Sequence, residues 1–496
     1  MKNLLTAAQM RAVDTYTIQH HLITSIDLME QAAMAFVEVF IKKYPNKQQA
    51  ILITCGQGNN GGDGLAIARI LTTEGFLNIR VLLTHFSQNS SADYLQNLER
   101  LRKINDRVFI IEHADNWELS KDVIVIDALL GSGLNKPLSG EYVALVSLIN
   151  QSGATVVAVD VPTGFNSEGK ISEPYHGIKA DLTISFQRPK INFFFPESTQ
   201  TLRRFEVVPI GLDENYIQAL PSPWKLISHQ FVSDTLKPRE NFSHKGTYGR
   251  VLMVAGNIET MGAALLATGA SLNIGAGLVT ACIPQSGLTA LNVALPEAMF
   301  LSREALQEVA LSKYQAIAVG PGLGVDKEQT QLLEYLLIQN QPLVLDADAL
   351  NIISTHKGFL EKIPVQSILT PHLKEFDRLF GEHQNWWQRL ETAKEEAQKR
   401  QIIIVLKNQY TFICLPTGEI CINPTGKPAM AQGGMGDVLT GVIAGLLAQG
   451  YSSAESAILG VYLHGKTGDA LAKSYGVISA STLSKAIPKT LRNIHI

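Results

Sequence analysis

Two stretches of this 496-residue chain bring glycine together with residues that can move protons or hold cations. The first, Gly56-Gln57-Gly58-Asn59-Asn60-Gly61-Gly62-Asp63-Gly64, follows the apolar run Ile51–Cys55, with a helix expected from about Leu65. The second, Gln432-Gly433-Gly434-Met435-Gly436-Asp437, precedes an apolar helical stretch. Glycine lets a backbone approach a ligand closely, and the free amides of a helix start suit a phosphate. Asp437, in the first turn of its helix, is placed to take a proton from a hydroxyl. Taken alone, it is a helix-start carboxylate favoured by the dipole.

The first string satisfies the dinucleotide pattern Gly-x-Gly-x-x-Gly. That reading also requires an acid closing the second strand, and Leu83-Thr84-His85-Phe86 has none. A standard NAD oxidoreductase is therefore disfavoured. Two more apolar runs end in chemistry-bearing loops, Asp127-Ala128-Leu129-Leu130-Gly131-Ser132-Gly133 and Asp160-Val161-Pro162-Thr163-Gly164. One Asp at a strand end is most simply a cap. Three such ends with glycine-rich loops predict a shared pocket. The second half repeats the arrangement with Gly256-Asn257, Gly320-Pro321-Gly322-Leu323-Gly324, Asp346-Ala347-Asp348 and Thr370-Pro371-His372-Leu373-Lys374-Glu375. Gly460 to Thr467 matches the P-loop pattern but lies in a helical stretch, Ala454 to Ala472, whereas a P-loop follows a strand. His464 reads as a packed helix histidine.

The elements that must position these groups are short apolar runs alternating with amphipathic stretches. Apolar residues at nearly every position predict strands buried on both faces of a mostly parallel, doubly wound sheet. Such sheets collect ligands at the carboxyl ends of their strands. The length calls for two domains, and Pro221-Ser222-Pro223 is the candidate linker. Asn192-Phe193-Phe194-Phe195-Pro196 is expected at a domain or subunit interface. A net charge of -3 and a pI near 6.5 argue against a dedicated nucleic-acid binder. Cys55, Cys282, Cys414 and Cys421 have no metal-ligand spacing. With no signal-peptide core or membrane-length run, the protein is expected in the cytoplasm, without membrane or nucleic-acid partner, as a homo-oligomer acting on small molecules.

The strings Asn59 to Gly64, Asp127 to Gly131 and Asp160 to Gly164, with Ile26-Asp27-Leu28-Met29-Glu30, resemble the signature of the NAD(P)H-hydrate epimerase family. The resemblance implies a potassium site at Asn60, Asp127 and Thr163, where the family often has Ser for Thr163. It implies contacts to the hydrated nucleotide from Asn59, Asn60, Gly61, Gly62 and Asp63, from Gly131, Ser132, Gly133, Leu134, Asn135, Lys136 and Pro137, and from Asp160. Epimerisation of the hydroxyl-bearing ring carbon needs acid–base help. Asp160 and Lys136 are the candidates, and Lys136 serves equally well as a phosphate contact.

The second set resembles the ribokinase-like superfamily, and more narrowly the ADP-dependent NAD(P)H-hydrate dehydratase family. The implied fold is a Rossmann-like αβα sandwich over residues 1–215, then a ribokinase-like α/β domain over 224–496. Implied hydrate contacts are Ala263, Gly322 and His372. Implied adenine-nucleotide contacts are Lys407, Asn408, Gln409, Tyr410, Thr411 and Gly436, with Asp437 the base and Mg²⁺ offsetting phosphate charge. Met435 stands where many relatives carry Thr or Ser, and Asn408 where Gly is common. The substrates so implied are NADHX, NADPHX and ADP. Competing readings are a kinase for a vitamin-type alcohol and an N-terminal half that senses a nucleotide without turning it over.

Overall fold

The strands Ile51–Cys55, Ile124–Ala128 and Leu182–Phe186 are buried at all five positions each, the signature of a sheet covered on both faces. The computed structural model describes residues 1–86, 89–114, 119–133, 137–171, 173–356 and 358–494. It folds as two units. The N-terminal unit holds residues 3–222 with 385–387, and the C-terminal unit holds residues 1–2 with 223–384 and the chain from Gln388 onward.

The N-terminal sheet has the order Val108–Ile111, Ile79–Thr84, Ile51–Cys55, Ile124–Ala128, Thr155–Val159, Leu182–Phe186, Phe205–Val208. Every pairing is parallel. Alternate residues of one strand serve opposite layers. Ile51 and Ile53 pack with Phe36, Phe40 and Leu65 from helices Ser25–Lys43 and Asn59–Thr73. Leu52 and Val125 pack with Leu145 and Ile149 from helix Glu141–Gln151. The result is an αβα sandwich. Chain order reverses between Ile51–Cys55 and Ile124–Ala128, so their following loops leave in opposite directions and open a crevice.

The C-terminal sheet runs Met299–Ser302, Leu278–Ile283, Arg250–Val254, Ala316–Val319, Leu343–Leu345, Ile368–Leu369, Ile403–Leu406, Phe412–Cys414, Ile420–Ile422, Trp224–Leu226. Only Phe412–Cys414 is antiparallel to its neighbours here. The reversal falls between Arg250–Val254 and Ala316–Val319. Over this sheet, helices Met261–Asn273 and Met435–Ala448 meet at backbone distance: a Cβ on Gly441 would lie 2.1 Å from the Ala267 carbonyl oxygen. Among the described residues no helix is long and apolar enough to cross a membrane.

One expectation needs correction. The helix after Ile51–Cys55 begins at Asn59, not near Leu65, so the Asn-Gly-Gly-Asp string is itself the first turn. Each helical glycine costs about 1 kcal/mol, but only glycine fits. A Cβ on Gly61 would lie 1.7 Å from the Gly56 carbonyl oxygen. In the Asn192–Pro196 segment, Phe193 and Phe194 are buried, Phe193 packs on Phe165, both pack on Phe205, and Phe195 packs on Trp387. The P-loop look-alike lies within helix Ser453–Leu471. Its glycines are packing positions, since a Cβ on Gly460 would meet Ile443 at 2.7 Å and one on Gly465 would meet Thr425 at 2.3 Å.

Candidate active sites

At the N-terminal crevice lies a cavity of about 680 Å³. Its floor is the start of helix Asn59–Thr73, whose N-cap Gly58 supplies no capping side chain, leaving first-turn amides to a ligand. Asn59, Asn60, Asp63, Gly131, Ser132, Gly133 and Asp160 all line it. Gly61 and Gly62 are buried behind it, and Pro137 is exposed and not part of its lining. Leu134, Asn135 and Lys136 lie outside the described residues.

Asp127 is fully buried beneath this floor. Its carboxylate accepts from the Thr163 amide at 2.8 Å, the Thr163 hydroxyl at 2.7 Å and the Leu129 amide at 3.3 Å. Burial pushes it up to about 6 against those bonds. No cationic side chain pairs with it among the described residues. Asn60 packs against Gly131, and its Nδ2 is buried with no hydrogen-bond partner among the described residues.

Asp160 adopts a left-handed backbone, φ 62°, one of the few conformations where Asp substitutes for Gly. This turn aims its Oδ1 at three donors: Lys190 Nζ at 2.7 Å, the Phe186 amide at 2.9 Å and the Ser185 hydroxyl at 3.1 Å. Lys190 escaped sequence reasoning, although it follows the strand next to Thr155–Val159 and so falls at the same sheet edge. Asp14, from helix Ala7–His20, also lines the cavity with Met10 and Ile18, an i, i+4, i+8 stripe. Burial and then Asp160 push Asp14 up to about 6, while burial with Asp160, Asp14 and Asp93 pushes Asp63 well above the ordinary range.

In the C-terminal unit the glycine turns mesh. The Gly256 amide donates to Pro321 O at 2.8 Å, and a Cβ on Gly320 would lie 1.8 Å from the Asp346 carbonyl oxygen. Gly322, at φ 57°, meets Ala263: a Cβ there would sit 3.0 Å from that of Ala263. Arg303, missed from sequence, is buried below and donates to the carbonyls of Ala255, at 3.2 Å, and Gly256. His372 is the N-cap of helix Leu373–Phe380. Its Nδ1 accepts from the Lys374 and Glu375 amides, at 3.1 and 3.3 Å. Nδ1 as acceptor puts the ring proton on Nε2, which faces Glu375 Oε1 at 3.3 Å.

Asp346 is buried between Lys407 Nζ and the Thr440 hydroxyl, both at 2.8 Å. Burial alone would raise this carboxyl, but Lys407 and the hydrogen bonds outweigh it and hold it below its ordinary value. Next to this pair, helix Met435–Ala448 starts after Gly434 (φ 86°) with no capping side chain. Asp437 stands in its first turn, and burial and then Asp346 push its carboxyl up to about 6. A second cavity of about 450 Å³ adjoins the same helix start, lined by Lys407, Asn408, Gln409, Thr411 and Gly436. Tyr410 does not line it. His464, packed on its helix, reaches this cavity too, as do Asn423 and Thr425. Burial pushes His464 down to about 4, so the ring is neutral. The turn Asn423-Pro424-Thr425-Gly426 was the available signal for the last two.

Residues 251–489 match the family model described as NAD(P)H-hydrate dehydratase, and residues 25–192 the model described as YjeF-related protein N-terminus. The bifunctional NAD(P)H-hydrate repair enzyme of Moorella thermoacetica is 37% identical, over 99% of this chain and 97% of its own. Its Escherichia coli counterpart is 32% identical, over 92% and 87%. Among solved structures, the ADP/ATP-dependent NAD(P)H-hydrate dehydratase of Bacillus subtilis, co-crystallised with ATP and Mg²⁺, is 34% identical. That match covers 54% of this chain and 98% of that one, at a TM-score of 0.50. A ribokinase-like superfamily protein from Enterococcus faecalis is 32% identical, covering 55% and 98%, also at 0.50.

Proposed function

The chain belongs to the family of bifunctional NAD(P)H-hydrate repair enzymes, and we propose that residues 1–215 carry the epimerase and residues 224–496 the dehydratase. The enzyme interconverts the R and S forms of hydrated nicotinamide nucleotides and returns the S form to NADH or NADPH. The observation that carries the division is the pair of unlike crevices. One unit holds a carboxylate-lined cavity. The other holds an uncapped helix start bearing Asp437 beside the Asp346–Lys407 pair.

In the dehydratase site, Asp437 accepts the proton of the ring hydroxyl. That oxygen attacks the β-phosphorus of ADP, and AMP leaves. The ester then departs as inorganic phosphate while the adjacent ring carbon loses a proton, forming the double bond of the dihydropyridine. The first-turn amides of Met435–Ala448 and Lys407 stabilise the transferring phosphoryl charge. Lys407, Asn408, Gln409, Thr411 and Gly436 hold the nucleotide; Ala263, Gly322 and His372 border the hydrate. Mg²⁺ bound with the nucleotide beside Lys407 and Asp437 would offset the charge of its phosphates.

In the epimerase site, Asp160, held in place by Lys190, is the base. The buried Asp127, with no cationic side-chain partner among the described residues, would with the Thr163 oxygens and the Asn60 carboxamide oxygen suit a hard monovalent cation. Potassium there would neutralise the buried charge under the substrate loops. The four free, buried cysteines suit a reducing cytoplasm, where we place the enzyme as a homo-oligomer. The test is racemic hydrate plus ADP or ATP, followed at the reduced-nicotinamide absorbance band. Complete recovery is expected, and no recovery with either nucleotide overturns the reading.

A further inference from the structure

The epimerase cavity holds more carboxylates than the family resemblance accounts for, and Asp14 is the one it does not include. It comes from the N-terminal helix Ala7–His20, remote in sequence from the glycine-rich loops, yet lines the same cavity as Asn59, Asp63 and Asp160. Its surroundings are the reverse of those of Asp160. Asp160 has Lys190, Ser185 and the Phe186 amide on one oxygen. Asp14 has no side-chain hydrogen bond or ion pair among the described residues. The charged groups acting on it are Asp160, Lys190 and Arg11, and it acts in turn on Asp63. A carboxyl near other carboxylates and without a hydrogen-bonded cation of its own keeps its proton more readily than one held by a lysine.

Epimerisation needs both kinds of group. The leaving hydroxyl must receive a proton, and the water that replaces it must lose one. Two carboxyls in unlike environments are the usual way to keep an acid and a base in one site. We propose that Asp14 is the catalytic acid of the epimerase site, paired with Asp160 as the base. This rests on the reading of the cavity as the epimerase site.

The step balances. The Asp14 carboxyl gives its proton to the ring hydroxyl as the carbon–oxygen bond breaks. Water leaves, and the ring nitrogen's lone pair closes the carbon–nitrogen double bond. Water then adds to the other face, that pair returns to nitrogen, and the added water's proton goes to the Asp160 carboxylate. Proton return from Asp160 to Asp14 completes the cycle, and the reverse reaction uses the same groups.

The test gives full-length enzyme and ADP either the R or the S hydrate. S turnover reports the dehydratase alone, whereas R turnover requires epimerisation first. With Asp14→Asn, kcat on the R hydrate is expected to fall about 100-fold or more, with KM within about twofold and S turnover unchanged. Asp14→Glu, which restores a carboxyl, is expected to recover part of that loss. Unchanged kcat on the R hydrate, or a change in KM alone, overturns the assignment. Loss of S turnover together with R turnover in both variants also overturns it, since that reports general damage. If wild-type enzyme turns over S but never R, the reading of the cavity itself has failed, a result distinct from any outcome of the variants.

Discussion

The two crevices share a topology and differ in charge balance. Each sheet holds a reversal of strand order, and each site has an uncapped helix start after a glycine turn. In the C-terminal unit the buried acid is neutralised within the fold: Asp346 has Lys407 and Thr440. In the N-terminal unit Asp127 is equally buried, with no cationic side-chain partner among the described residues, and Asp14, Asp63 and Asp160 share one cavity. The difference matches the two chemistries. Phosphoryl transfer needs fixed positive potential and one base, while epimerisation needs one group to give a proton and another to take one. The same sheet architecture thus serves either reaction, and the side chains at strand ends decide which.

The comparison breaks first at Asp437. Asp437→Asn is expected to lower dehydration of the S hydrate about 1000-fold while leaving epimerisation, followed by chromatographic separation of the R and S forms, at its wild-type rate. Retained dehydration would remove the base from the C-terminal site.

Next comes the compensated pair. Lys407→Met strands Asp346 in the interior, so the C-terminal unit is expected to lose about 3 kcal/mol in denaturant unfolding. A loss below about 1 kcal/mol would mean that the pair is not compensating a buried charge.

The smallest effect is a pH limb. Because the Asp437 carboxyl is raised to about 6 and must be ionised to act, dehydratase kcat/KM should be flat above that pH. Below it, kcat/KM should fall about tenfold per unit. A limb centred near 4 would place the base in an ordinary solvated setting.

Much of this was legible before the structure. Strands such as Ala316–Val319 and Ile403–Leu406 announced themselves because burial on both faces leaves a continuous apolar run. The convergence of Asp127, Asp160 and the Asn59–Asp63 string followed from strand-end positions. Three things were hidden. The start of helix Asn59–Thr73 was masked by glycines that propensity places outside a helix, but which the approach to Gly56 demands. Lys190 sits in no motif, and its use depends on the left-handed turn at Asp160. Asp14 lies on a helix whose buried face, Val13 and Thr17, points to the core and not to the cavity stripe of Met10, Asp14 and Ile18. In the last two cases a contact distant in sequence overrides the local pattern.

The most direct test of two sites with divided labour is Asp160→Asn given racemic hydrate and excess ADP. Recovery of the reduced nucleotide is expected to stop once the S half is consumed, with the R form left intact, where the wild-type enzyme converts everything. Wild-type progress to completion in this variant would contradict the account.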